Sequence, residues 1–322
     1  MTAASEWTGR HLALVGTTAS GKSAVAFEVA RRRPDVELVS VDSMCVYRGM
    51  DVGTAKPTPA QRGEVPHHLL DLADPSEDYS VSRFQAAARA AIDGIEARGH
   101  RALLVGGTGL YLQAVVDDLE LPGQWPEVAT ELEAEAEGPG GVGALHARLA
   151  DLDPVAAARM RPSNRRRVVR ALEVTLGSGR RFSSFGPGLG AYPASRFELV
   201  GLRLPVATVA RRIEERFLAQ LGHGFLEEVR GLATRTGGLS RTARQALGYR
   251  ELLAHVERGV PLDEATTEGI RRTRSFARRQ RAWFGRDPRI TWLEPVDPSG
   301  AGNPLAAVSE LLGNWTRCPR SA

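Results

Sequence analysis

The stretch HLALVGTTASGKS, residues 11–23, decides the fold. Residues 11–15 (HLALV) form a short apolar run with strand character, and residues 23–32 carry the apolar spacing of a helix. Between them Gly16, Thr17, Thr18, Ala19, Ser20, Gly21, Lys22 and Ser23 match G-x-x-x-x-G-K-[ST], the phosphate-binding loop. Its glycines allow turns that aim several backbone N–H groups at one anion, and the following helix adds its positive N-terminal end. Lys22 adds a full charge, and the Ser23 hydroxyl is a candidate Mg²⁺ ligand.

Working outward, residues 37–41 (ELVSV) read as a second strand ending at Asp42, and residues 79–97 as a helix. Residues 101–105 (RALLV) then make a third strand that runs into Gly106-Gly107-Thr108. Strand, helix and strand at this spacing predict right-handed crossovers and a parallel sheet. From about residue 122 to 190 the pattern turns to helical segments rich in Ala, Glu and Arg, broken at 138–143 and 177–190. Residues 197–204 are strand-like again, and more helices follow. The expected architecture is α/β: a P-loop parallel-sheet core whose first part spans 1–121, a helical insertion over 122–190, and core completion with C-terminal helices over 191–322.

The 322 residues, 42% hydrophobic and 25% charged, suit an ordinary globular chain with no run near the roughly 20 apolar residues a membrane span needs. The first residues lack a basic leader followed by a long apolar stretch, so a cytoplasmic protein is expected. Cys45 and Cys318 are far apart and lack metal-ligand spacing, which argues against a disulfide framework or a zinc site. No heptad seam is visible, and a monomer is expected.

Of the 42 basic side chains only Lys22 and Lys56 are lysines. A compact ammonium and a planar guanidinium are not interchangeable in a tight phosphate site, so the lysine in the loop is informative. The arginines are unevenly placed. Arg161, Arg165, Arg166, Arg167, Arg170, Arg180 and Arg181 face only Glu173 in their segment; Arg271, Arg272, Arg274, Arg278, Arg279, Arg281, Arg286 and Arg289 face only Asp287. Each run alone suits a solvated helix face, but two in a chain of net charge +4 point to a polyanionic partner.

The loop specifies phosphate without saying which phosphate compound. A Walker-type NTPase also places an acid after a hydrophobic strand to hold Mg²⁺, yet the third strand ends in Gly-Gly-Thr. The nearest carboxylate is Asp42. Ligands of open α/β sheets bind outside the carboxyl ends of the strands, so the loop, Asp42 and Thr108 should meet in one crevice.

The blocks GTTASGKS, VDSMCVYRGMDVGTAKP, PHHLLDLADPSEDYSVSRF, VGGTGLY, RPSNRRRVVRALEV, QALGYRE and TRSFARRQRAWF, in that order, resemble the bacterial tRNA dimethylallyltransferases from about residue 11 to 293. The resemblance implies a cradle for the diphosphate of dimethylallyl diphosphate with Mg²⁺ as cofactor, and transfer of the prenyl group to N6 of adenine 37 in tRNAs that read codons beginning with U. It implies that Asp42 is the base, that Arg216 reaches the diphosphate and that Thr108 lies near the reacting centre. It further implies contacts to the tRNA anticodon stem-loop from Asp42, Ser43, Met44 and Cys45; from Arg166, Arg167, Val168, Val169 and Arg170; from Gln245, Gly248, Tyr249 and Arg250; and from Arg278, Arg279, Gln280 and Trp283. Both arginine runs overlap these blocks. Thr17 stands where the family usually has proline, Cys45 where many members have glutamine, and Ala129 where arginine is common. His67 and His68, adjacent and without a third ligand, read as structural.

Three other readings remain open at this level. A small-molecule kinase would use the loop for ATP but lacks the acid after the third strand. A nucleotide-switched RNA-binding protein would need the arginines and not Asp42. A prenyltransferase acting on free AMP or ADP would not need the arginine runs.

Overall fold

A computed structural model describes residues 11–295 and 304–315. The strands are β1 His11–Gly16, β2 Val36–Val41, β3 His67–His68, β4 Arg101–Gly106, β5 Phe197–Leu202 and β6 Thr291–Leu293. They form one sheet in the order β3-β2-β4-β1-β5-β6, and every pairing is parallel. A parallel sheet covered by helices on both faces buries alternate residues on opposite sides. Leu12, Leu14, Leu38 and Leu103 accordingly pack with Val25 and Val29 of the helix Lys22–Arg32, while Ala13, Val15, Val39 and Leu104 pack with Phe84 and Ile92 of the helix Val81–Ala97.

The expected strands are present, with small shifts that have local causes. The helix expected from residue 79 starts at Val81 because the Ser80 hydroxyl accepts the Arg83 N–H and caps it. The strand expected over 197–204 stops at Leu202, before the turn into the helix Val206–Gly222. β3 and β6 are additions. Two and three residues are too few to show a strand period, and both exist by pairing, His67 with Leu38 and Trp292 with Gly201. The paired histidines also bond locally: His67 Nδ1 donates to the Val65 carbonyl at 2.7 Å, and His68 Nε2 bonds the Glu37 carboxylate at 2.6 Å.

The chain divides into two compact units. The insertion runs from Asp118 to Pro193, a few residues wider at each end than the 122–190 read from composition. Its helices Pro126–Glu137, Gly141–Leu152, Pro154–Ala158 and Arg165–Ser178 share a core of Leu132, Leu145, Leu149, Val168 and Leu172. The remainder of the chain carries the sheet. There Asp117 closes its end of the core through an ion pair with Arg289 at 2.6 Å. Among the described residues no helix is long and apolar enough to cross a membrane. Cys45 is buried, and Cys318 lies outside the described residues.

Candidate active site

Three strand ends build the site. Register pairs Val15 and Val41 with the same residue, Gly106, so β1, β4 and β2 end level as neighbours in the sheet. The chain leaving β1 is the phosphate loop, the residue after β2 is Asp42, and β4 leads through Gly107 to Thr108. The close approach of β4 to β2, and of β1 to its other neighbour β5, requires glycine. A Cβ on Gly106 would lie 1.9 Å from the Val41 carbonyl oxygen, and one on Gly16, at φ +149°, would lie 2.7 Å from that of Leu202.

Within the loop, Gly21 at φ 89° turns the chain into the helix that begins at Lys22. Lys22 is buried and its Nζ donates to the Thr17 carbonyl at 2.7 Å. Burial, and next the positive charge of Arg216, hold its pKa down to about 7, against a smaller opposing effect of Asp42. Ser23 is exposed at the helix N-terminus. Arg216, from the helix Val206–Gly222, donates from Nη2 to Thr18 Oγ1 at 2.7 Å. Its Nε is buried with no hydrogen-bond partner, and burial lowers its pKa. A buried, unpaired donor beside a phosphate loop is costly unless an acceptor arrives there.

Asp42 is oriented by its own turn. Its Oδ1 accepts the Met44 N–H at 2.8 Å and the Cys45 N–H at 3.4 Å. Thr108 stands at the N-cap of the helix Gly109–Val116 but does not cap it. Its hydroxyl instead accepts the Ser43 N–H at 3.2 Å and approaches Ser43 Oγ at 3.5 Å, tying β4 to the Asp42 turn. Lys22, Ser23, Asp42, Thr108 and Arg216 all line one cavity of about 700 Å³.

Residues 45–287 match the family described as IPP transferase. The chain belongs to that family. Curated relatives named tRNA dimethylallyltransferase include one from Kineococcus radiotolerans, 48% identical over 94% of this chain and 96% of its own length. Another, from Acidothermus cellulolyticus, is 47% identical over 89% of this chain and 90% of its own. Among solved structures, the full-length tRNA isopentenylpyrophosphate transferase of Bacillus halodurans has a TM-score of 0.65 at 36% identity, covering 94% of this chain and 95% of that one. A eukaryotic dimethylallyltransferase shares the fold with a TM-score of 0.75 at 23% identity, covering 96% of this chain and 81% of that one.

Against this IPP transferase framework the expected RNA-contacting residues fall into two groups. Arg166, Arg167, Gln245, Arg250, Arg278 and Arg279 are exposed. Ser43 and Met44 are half-buried in the Asp42 turn, and Trp283 is half-buried over Gly109, where a Cβ would lie 2.4 Å from its ring. The others are buried or bonded within the protein. Val168 and Val169 sit in the insertion's core. Arg170 pairs with Glu173 at 2.7 Å and donates to the carbonyls of Pro122 and Gly123. Cys45 is buried, which pushes its thiol pKa up. Gly248, at φ +83°, has no room for a side chain because a Cβ would lie 2.8 Å from the Phe225 ring. Tyr249 is buried and donates its hydroxyl to Glu228. Gln280 is buried against the phosphate loop.

The second arginine run is also less free than its local sequence implies. Arg271 pairs with Glu268, Arg272 with Glu251 and Arg274 with Glu214, while Arg281 donates to the Leu204 carbonyl and Arg289 pairs with Asp117. In the first run Arg165 bridges Glu133 and Glu137, and Arg180 meets Glu120 at 3.1 Å.

Two clusters were not anticipated. The Glu228 carboxylate accepts the N–H groups of Asp51, Val52 and Gly53 at 2.7–3.2 Å, besides the Tyr249 hydroxyl. Lys56, the other lysine, is buried between Asp51 and Asp71 at 2.7 and 2.6 Å and also donates to the Tyr47 carbonyl. Together they fix the loop that carries Gly53 and Thr54 along the cavity wall. The scarcity of lysine was the one available signal.

Proposed function

We propose that this chain transfers a dimethylallyl group from dimethylallyl diphosphate to N6 of adenine 37 in tRNAs that read codons beginning with U, releasing diphosphate. The observation that carries the reading is the meeting of a phosphate loop, Asp42 and Arg216 in one cavity, in a chain 48% identical to a tRNA dimethylallyltransferase.

An adenine amino group is a poor nucleophile because its lone pair is delocalised into the ring. Asp42 supplies a carboxylate whose Oδ1 is already held by two amides, leaving Oδ2 to take the N6 proton as the N–C bond forms. The allylic C–O bond breaks and its electron pair leaves with diphosphate. Loop amides, Lys22 and the unpaired Nε of Arg216 stabilise that developing charge. Ile213, Phe217 and Phe276 give the same cavity an apolar wall suited to a five-carbon chain. Reaching a stacked anticodon-loop base requires extruding it, with exposed arginines such as Arg278 and Arg279 holding the backbone.

The residues fit Mg²⁺ as cofactor. Among the described residues no three His, Cys, Asp or Glu side chains gather into a cage, and Mg²⁺ characteristically uses few protein ligands together with phosphate oxygens and water. The exposed Ser23 hydroxyl would hold the ion, which when bound would neutralise charge on the diphosphate. The reading takes the enzyme to act as a cytoplasmic monomer.

The kinase alternative fits less well, since β4, the strand beside the phosphate loop, ends in Gly106-Gly107-Thr108 without a carboxylate. The deciding experiment incubates the chain with labelled dimethylallyl diphosphate, Mg²⁺ and tRNA. Label should enter the RNA; turnover of ATP without incorporation, or labelling of free AMP in preference to tRNA, would overturn the reading.

A further inference from the structure

Gln280 lies near the end of the arginine-rich helix Leu262–Phe284 and is 5% exposed. Its side chain spans two of the three strand ends. Oε1 accepts the N–H of Thr18 at 2.7 Å, and Nε2 donates to the Gly107 carbonyl at 2.9 Å. The fit is tight: a Cβ on Gly107 would lie 2.2 Å from Nε2.

Thr18 is therefore gripped twice, by Gln280 on its amide and by Arg216 on its hydroxyl. An N–H in the middle of a phosphate loop is one of the groups expected to point at the anion. Here it is held by a neutral side chain that is itself anchored to Gly107, the residue after β4. Arg278 and Arg279, the residues immediately before Gln280, are exposed.

We propose that Gln280 is a positioning residue for the diphosphate cradle, setting the course of the loop at Thr18, and that it links the arginine-rich helix to that cradle. The inference rests on the proposed function only in naming the anion as the diphosphate of the donor. A helix joined to the loop through one buried amide cannot shift its last turns without moving Thr18. Ligands on the two surfaces then influence each other, and such a coupling is reciprocal: RNA changes diphosphate affinity by the factor with which diphosphate changes RNA affinity.

The test titrates inorganic diphosphate, with Mg²⁺, into the full chain by calorimetry, with and without tRNA, for the wild type and for Gln280→Met, which keeps length and loses both hydrogen bonds. Diphosphate should bind about tenfold more weakly to the variant, and the wild-type difference between the two conditions should shrink. RNA affinity measured without diphosphate should stay unchanged. Arg278→Ala should behave in the opposite way, weakening RNA and sparing diphosphate. If Gln280→Met misfolds, Gln280→Asn keeps the amide without charge but is one carbon too short to span Thr18 and Gly107 together; it should also weaken diphosphate while RNA binding persists.

Unchanged diphosphate affinity in these variants overturns the proposal. So does a loss of RNA affinity matching that of Arg278→Ala, which would make Gln280 an RNA contact. Wild-type binding of diphosphate without label transfer to RNA would overturn the proposed function instead, because the titration reads the cradle alone.

Discussion

Arg216 holds Thr18 with one nitrogen and keeps another in reserve: Nη2 donates to Thr18 Oγ1 at 2.7 Å, while the buried Nε has no partner. A planar guanidinium can bridge the loop and an incoming phosphate oxygen together, whereas an ammonium of similar reach is a point charge. Arg216→Gln should lower kcat/KM for the prenyl donor by about 100-fold, the usual effect of losing a donor to developing charge. Arg216→Lys should recover little of it. Steady-state kinetics at saturating tRNA would measure both, and full rescue by lysine would show that charge alone matters there.

Asp42 is bound by amides through Oδ1 only, so neutralising it removes a proton acceptor while its turn stays intact. Asp42→Asn should slow single-turnover transfer by about 10²–10⁴-fold, the range for a general base, with tRNA affinity nearly unchanged. Lost RNA affinity with an unchanged rate in the bound complex would make Asp42 a recognition residue.

These two residues also show what sequence can reveal. The phosphate loop is a contiguous pattern, and Asp42 and Thr108 each follow an apolar run that reads as a strand, so parallel-sheet geometry brings them together without further information. Gln280 is different. Its spacing from Thr273, Ala277 and Phe284 places it on the buried face of its helix, but it meets Thr18 from 262 positions away, and nothing local names that partner. The arginine runs failed as a measure of free charge for the same reason. Arg272 and Arg274 find Glu251 and Glu214 on other helices, so counting acids within the run misses the pairing.

The lowered pKa of Lys22, about 7, gives diphosphate binding a pH signature. In the free chain burial and Arg216 disfavour the charged form, so near pH 8 much of Lys22 is neutral. A bound polyanion favours the ammonium and raises the pKa again, so binding takes up a proton. The affinity advantage of wild type over Lys22→Met should fall as pH rises through 7 and flatten below about 6, where Lys22 is already charged. Calorimetry at pH 8 in buffers of different ionisation enthalpy should show proton uptake that is absent from Lys22→Met. Diphosphate's own protons titrate identically in both proteins, so equal uptake would place the proton elsewhere.

The insertion's arginines divide by what they already touch. Arg166 and Arg167 are exposed on the first turn of the helix Arg165–Ser178, whereas Arg170 is tied to Glu173 and to the carbonyls of Pro122 and Gly123. Releasing condensed ions from RNA requires an arginine that reaches a phosphate, and each such contact adds about 1 to the slope of log affinity against log salt. Arg166→Ala should flatten that slope by about 1 with little effect on thermal stability. Arg170→Ala should leave the slope nearly unchanged and destabilise the insertion, since Glu173 is mostly buried and loses its cation. Salt titrations of tRNA binding, paired with thermal melts, separate the two. A slope change for Arg170→Ala with an unchanged melt would mean that its internal bonds give way to RNA.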